Sequence, residues 1–313
     1  MSVPPRNSST AFAPASVGNV AVGFDILGFA VNALGDLVTV SVTRTPGVTM
    51  RAARGVAGDL PMDAASNTAG RALQAMLERA SPGFGFEVEI DKGIPLGSGL
   101  GGSAASAVGA VVAANALLPE PYCKQDLLKF AMQGEAVASG ALHVDNVSPS
   151  LFGGLALTVG VDHPRVKQIP APPGVCAVVV HPHLFLATKQ ARAILSRTVD
   201  MSDFVWQTAN LAGFISGCYT NDLDLIRESF EDVVIERQRR SLIPGFLAVR
   251  AAAMAEGALG CSISGAGPTV FAWALEDRAP DVLGAMQRQF RANSLETDGW
   301  IVGIESPGAR LVD

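Results

Sequence analysis

Phe84-Gly85-Phe86-Glu87-Val88-Glu89-Ile90, followed shortly by Pro95-Leu96-Gly97-Ser98-Gly99-Leu100-Gly101-Gly102-Ser103-Ala104-Ala105, is the stretch on which the reading of the fold turns. In the first segment apolar and polar side chains alternate, the two-residue period of a strand with one buried face. In the second, a run of glycines leads into Ser103–Leu118, small and apolar residues with no proline, which suit a tightly packed helix. The order is strand, glycine loop, buried helix. Such a loop lets backbone N–H groups approach a ligand closely, and a helix N-terminus adds its dipole and its unpaired donors. Phosphate is the natural guest.

Three uses of the loop compete. Gly97, Gly99 and Gly102 satisfy the dinucleotide fingerprint GxGxxG, which belongs after a strand buried on both faces of a parallel sheet. Glu87, Glu89 and Asp91 on one side of the preceding strand argue against it. No lysine lies between Gly97 and Gly109, which excludes GxxxxGK[ST]. A glycine turn that serves only close helix packing stays open on this segment alone.

Outward from the loop, Leu37–Val42 alternates as a strand. Leu127, Leu128, Ala131 and Met132 mark a helix over Gln125–Val137, followed by a polar loop from Gly140 to Pro149. Gly153–Val161 and Val175–Val180 read as buried strands, separated by the proline-rich linker Ile169–Gly174. Helical patterns over 203–219, 222–233 and 245–256 precede two apolar runs, Gly260–Ile263 and Thr269–Leu275, that flank a second glycine turn. This pattern predicts an α+β protein in two halves: a mobile tail over residues 1–11, an N-terminal domain over 12–168 and a C-terminal domain over 169–313. No internal repeat or low-complexity tract is present.

Composition narrows the function. The 313 residues are 49% hydrophobic and 17% charged, as in a folded enzyme. A net charge of -6, with no basic run beyond Arg237–Arg240, speaks against nucleic acid as a partner. Ala104–Leu118 falls short of the roughly 20 apolar residues a membrane span needs, and the first ten residues resemble no secretion signal, so a cytoplasmic location is expected. The four cysteines are widely spaced and form no CxxC pair, so neither zinc nor a redox pair is expected. His181 and His183 lack a third ligand and are expected to be solvent-facing loop histidines.

Pro-x-Gly-x-Gly-Leu-Gly-x-Ser-Ala-Ala resembles the phosphate-binding motif of the GHMP kinases. Ala13-Pro14-Ala15-Ser16-Val17-Gly18-Asn19 with Gly23-Phe24-Asp25 looks like the opening motif of the homoserine-phosphorylating branch. Ser262-Ile263-Ser264-Gly265-Ala266-Gly267-Pro268-Thr269 is similar to the family's third motif. The three occur in family order from Ala13 to about Leu275. The resemblance implies a two-domain architecture, with a ribosomal-S5-domain-2-like N-terminal domain and a ferredoxin-like C-terminal domain. It implies that residues Pro95 to Ala105 cradle the phosphates of ATP, with Asn67, Thr68 and Lys92 approaching the nucleotide. Ser103 and Glu135 would hold Mg²⁺. The family's homoserine branch usually has a serine where Gly102 stands.

Gly134-Glu135 and Gly140–Asn146 resemble that branch more than the family at large, which places Asp145 and Asn146 at the substrate. Asn19, Asp25, Thr188 and Gly265 join them by the same resemblance. Homoserine carries a carboxylate that arginine suits through its planar fork. Arg192 and Arg239 match the family's arginines, with Arg240 an adjacent rival. The implied reaction is transfer of the γ-phosphoryl of MgATP to the hydroxyl of L-homoserine, a step of threonine biosynthesis. Asn146 would stand where some relatives carry an aspartate base, so no dedicated base is implied. A kinase for another small hydroxy acid, or a catalytically silent ligand-binding relative, is the alternative. A homodimer is a family expectation.

Overall fold

The computed structural model describes residues 6–56, 60–139, 144–160 and 162–312. In chain order the elements are β1 (Ser8–Gly18), β2 (Leu27–Thr43), β3 (Val48–Gly55), α1 (Thr68–Ala80), β4 (Gly85–Lys92), α2 (Gly102–Asn115), α3 (Lys124–Ser139), α4 (Val147–Phe152), β5 (Leu155–Val159) and β6 (Arg165–Ile169). Then come β7 (Val175–Pro182), α5 (Thr188–Ala193), α6 (Met201–Thr220), α7 (Leu223–Ser229), α8 (Glu236–Arg239), α9 (Phe246–Ala255), β8 (Gly260–Ile263), β9 (Val270–Leu275), α10 (Ala279–Ala292), β10 (Thr297–Gly303) and β11 (Arg310–Leu311).

Two sheets organise these elements. The first runs β11-β1-β2-β4-β3, with β5 on β2 and β6 on β5; the second runs β10-β7-β9-β8. All pairings are antiparallel except β3 with β4, which α1 connects. β2 bridges two neighbours because it is long: Leu37–Thr43 pairs with β4, and Leu27–Phe29 with β5. The chain leaves the first sheet at Ile169 and enters the second at Val175, but β11 returns residues 310 and 311 to β1. No single cut therefore separates the sheets.

Alternation along β7 explains the join. Ala177 and Val179 face a core shared with Phe29 of β2, Phe214 of α6 and Phe230. Cys176, Val178 and Val180 face α9 and α10 through Phe246, Val249, Met286 and Phe290. Phe29 meets Phe271 and Trp273 edge-on, with centroids 5.6 and 6.2 Å apart. α2 lies within the first half against β1, β2, α1 and α3. Ala104–Val111 is buried without a break, which only small side chains allow at such close approach.

Several expectations need correction. Ser8–Ala11, assigned to the mobile tail, are the first rungs of β1, opposite Ser41–Val38. The expected helix over 222–233 ends at Ser229; beyond it the Asp232 carboxylate accepts from the N–H groups of Val234, Ile235 and Glu236, at the entry to α8. Pro149 lies in α4, not in a loop; residues 140–143 of that expected loop fall outside the described residues. His181 is an interior residue of β7, opposite Asp298, with its Nδ1 3.1 Å from the Thr269 hydroxyl. Burial, then the neighbouring His183, pushes it down to about 4, so it is neutral at pH 7. His183 is exposed, as expected, against Asp298 at 3.0 Å.

Candidate active site

The glycine loop is held by its carbonyls. Gly97 O accepts from Leu186 N at 3.0 Å, Ser98 O from Thr269 N at 3.1 Å, Gly99 O from the Ser264 hydroxyl at 2.7 Å, and Leu100 O from Ser16 N at 3.1 Å. Across a trans peptide the next N–H points opposite to the carbonyl. The amides of Ser98, Gly99 and Gly101 are thereby turned away from these four anchors; the Leu100 amide donates to Ser98 Oγ. The loop ends at Gly101, the N-cap of α2, with φ of 66°. The dipole and free first-turn amides of a 14-residue helix follow directly.

Gly97, Ser98, Gly99 and Gly101 line a cleft of about 370 Å³ together with Asn19, Asp25, Glu135, Asp145, Asn146, Thr188, Arg192, Arg239 and Gly265. Glu135 reaches it because α3 packs hard on α1: a Cβ at Gly134 would stand 2.2 Å from Thr68 O. Asn146, at the N-terminus of α4, accepts from the Ser16 hydroxyl at 3.0 Å. Asn19 donates to Gly265 O at 2.9 Å and accepts from Asp25 N at 3.1 Å. Asp25 pairs with Arg192. Arg239 is buried and donates to the carbonyls of Ala191 and Gly265, at 3.2 and 2.8 Å. Burial and then Arg192 push it down to about 10, against the pull of Asp25, Asp145 and Asp232. Arg240, its rival, is exposed and does not line the cleft.

Residues 67–154 match the family description "GHMP kinases N terminal domain", and residues 214–292 match "GHMP kinases C terminal". A homoserine kinase of Xylella fastidiosa (strain M12) is 47% identical over 314 residues, covering 99% of this chain and 95% of that protein. One from Chloroherpeton thalassium is 41% identical, covering 97% and 99%. The crystal structure of homoserine kinase from Cytophaga hutchinsonii superposes with a TM-score of 0.94 at 41% identity over 98% of each chain. The chain belongs to the homoserine kinases of the GHMP kinase family. An L. major mevalonate kinase at 16% identity and a TM-score of 0.71 shares the fold.

Not every residue expected at the site of this homoserine kinase reaches the cleft. Leu100, Ala104 and Ala105 are fully buried beneath it and offer only main chain. Asn67 is the N-cap of α1: its side chain accepts from Ala69 N and Gly70 N and donates to Pro61 O. The Thr68 hydroxyl donates to Ser103 O at 3.2 Å, tying α1 to α2. Lys92 lies under the loop, where its ammonium meets Asp36, Gly102 O at 2.7 Å and Ser106 Oγ at 3.0 Å. Burial lowers its pKa, while Asp36 and then Glu135 oppose the shift. A side chain with its donors so occupied, 2% exposed, supports the loop from behind and does not line the cleft.

Sequence reasoning missed Phe185, Ala187, Lys189 and Ala266, which also line the cleft. Three of them adjoin predicted residues in the chain. Phe185 had no such signal; its ring lies where a Cβ on Gly97 would meet it at 2.4 Å. Asp36 was missed too, although it is buried and caps Gly93 N and Ile94 N, at 3.2 and 3.3 Å, at the start of the loop.

Proposed function

We propose that this homoserine kinase transfers the γ-phosphoryl group of ATP to the side-chain hydroxyl of L-homoserine, giving O-phospho-L-homoserine and ADP, in threonine biosynthesis. One observation carries the reading: a single cleft is lined both by the glycine loop with the N-terminus of α2 and by Arg192, Arg239, Asp25, Asp145 and Asn19. The loop suits polyphosphate. The second group offers guanidinium groups to a carboxylate and carboxylates to an ammonium, the demands of an amino-acid zwitterion.

The donor set suits Mg²⁺. Ser103 and Glu135 bring two hard oxygens to the cleft, and this ion usually takes one or two protein ligands beside phosphate and water. When bound there, it would neutralise charge on the phosphates. The remaining work falls to the chain. The loop amides and Arg192 fix the two reactants in one orientation, and the anchored carbonyls behind the loop keep those amides from reorganising. Asn146, held by Ser16, can orient the hydroxyl but cannot take its proton. Direct transfer through a loose transition state makes little demand for a base before the bond to ADP is largely broken.

An ADP-release assay across L-homoserine, mevalonate, shikimate and galactose tests this reading. Turnover with homoserine well above the others is expected. Substantial turnover with mevalonate and none with homoserine would replace the substrate, and release of ADP with none of them would remove the kinase.

A further inference from the structure

The turn between β1 and β2 is built against local preference. Asn19, Val20 and Ala21 have φ of 69°, 43° and 57°, and Asp25 has φ of 63°. The left-handed region costs roughly 1–2 kcal/mol per non-glycine residue, and a β-branched side chain there is an outlier. The turn persists because its surroundings fix it: Val20 and Ala21 are buried, and the Asn19 amide bridges Gly265 O and Asp25 N. Strain maintained in this way clusters at functional sites. Here it presents two neighbouring side chains, Asp25, which pairs with Arg192, and Phe24, which lies outside the cleft lining.

The guanidinium carbons of Arg192 and Arg239 both lie 5.3 Å from the centroid of the Phe24 ring. Two like charges brought to one end of a cleft repel each other. Only Arg192 pairs with Asp25; among the described residues Arg239 has carbonyl partners and no contact ion pair. An aromatic quadrupole attracts a guanidinium without consuming its N–H donors, and it does so more strongly where water is excluded.

We propose that Phe24 is the positioning residue for the substrate carboxylate, its ring holding Arg192 and Arg239 side by side at the cleft. This rests on the reading of the chain as acting on L-homoserine. Phe24 touches no reacting atom; its effect passes through the two arginines. It therefore bears on recognition of the carboxylate and not on recognition of ATP.

The test compares kcat/KM for L-homoserine with that for L-homoserine amide, which keeps the ammonium and hydroxyl but has no carboxylate, in wild type, Phe24→Leu and Phe24→Tyr. Loss of two cation–π contacts is expected to narrow the preference for homoserine over the amide by about tenfold in Phe24→Leu. Phe24→Tyr keeps the ring and is expected to keep the preference. The KM for ATP reports a general disturbance and should not follow the change. If Phe24→Leu does not fold, Phe24→Met, of similar volume and without a ring, is read the same way. A preference unchanged in the ringless variant, or lost equally in Phe24→Tyr, overturns the inference and leaves the functional reading standing. A wild type that phosphorylates no homoserine overturns both, and that result appears before any variant is made.

Discussion

The hydroxyl of Ser264 donates to the carbonyl of Gly99 at 2.7 Å across 165 residues of chain. The turn after β8 thereby sets the orientation of a peptide in the phosphate loop, with Thr269 N on Ser98 O as a second tie. Ser264→Ala leaves the Gly99 carbonyl without this donor at a fully buried side chain, a cost of about 1–3 kcal/mol. The expected result is a KM for ATP raised by about fivefold or more, with a smaller change in the KM for homoserine. Steady-state kinetics with each substrate varied in turn checks this, and equal changes in both would refute it.

Adjacent glycines at the start of α2 should differ sharply. At Gly101, with φ of 66°, a Cβ would stand 2.2 Å from Ser16 Oγ and 2.9 Å from Asn146 Oδ1. Gly101→Ala must break the Ser16–Asn146 contact or move the loop. At Gly102 the nearest atoms are Ile94 Cγ2 and Lys92 Nζ, at 3.2 and 3.3 Å, so Gly102→Ala needs shifts of a few tenths of an ångström and no positive φ. Gly101→Ala is expected to lose nucleotide binding, measured by calorimetry with ADP, and Gly102→Ala to retain most of it. The reverse order would show the loop geometry to be wrong.

The contrast between Lys92 and Arg239 shows what the sequence could reveal. Strand period, glycine loop and helix composition were legible at β4 and α2 because each pattern is local. Arg239 was found by resemblance, and its burial and bonds are consistent with that placement. Lys92 was misplaced because position in the chain does not say on which side of a loop a side chain lies; Asp36, 56 residues away, decides that. His181 failed in the same way: a His-Pro-His string looks like a loop until β9 and β10 are seen to enclose β7. Phe24 lies in the opening motif, but nothing local pointed to its role, since the two arginines on its ring are far from it in the chain.

Lys92 and Asp36 form a pair with almost no exposure, and Ser106 Oγ donates to the same carboxylate at 2.7 Å. Removing one partner of such a pair leaves a buried charge uncompensated, typically at about 3–5 kcal/mol. Lys92→Met is expected to lower stability by that order in urea unfolding. The double variant Lys92→Met with Asp36→Asn should recover part of the loss. Strict additivity in this cycle would mean that the pair does not couple.

Stability should fall in acid through His181. Its folded pKa of about 4 lies below the ordinary 6.5, so between these values the unfolded chain binds the extra proton. The contribution is complete above about pH 6.5 and is lost as pH falls toward 4, at most on the order of 3–4 kcal/mol. His181→Gln keeps a polar partner for Thr269 without a titrating ring. The difference in unfolding free energy between wild type and variant, measured at several pH values, should shrink through that window. A constant difference would contradict the assignment.

Ser103 and Glu135 line the cleft from different helices, α2 and α3. If they hold the metal together, Glu135→Gln, which keeps shape and removes charge, should raise the Mg²⁺ concentration needed for half-maximal rate and lower kcat. Ser103→Ala should do the same. Ligands that act as a unit are not additive, so the double variant should be little worse than the poorer single one. Both single variants within tenfold of wild-type turnover, about 1.4 kcal/mol, would place the metal elsewhere. An unchanged Mg²⁺ dependence with a fallen kcat would instead make Glu135 a partner of Lys92, whose charge it already feels.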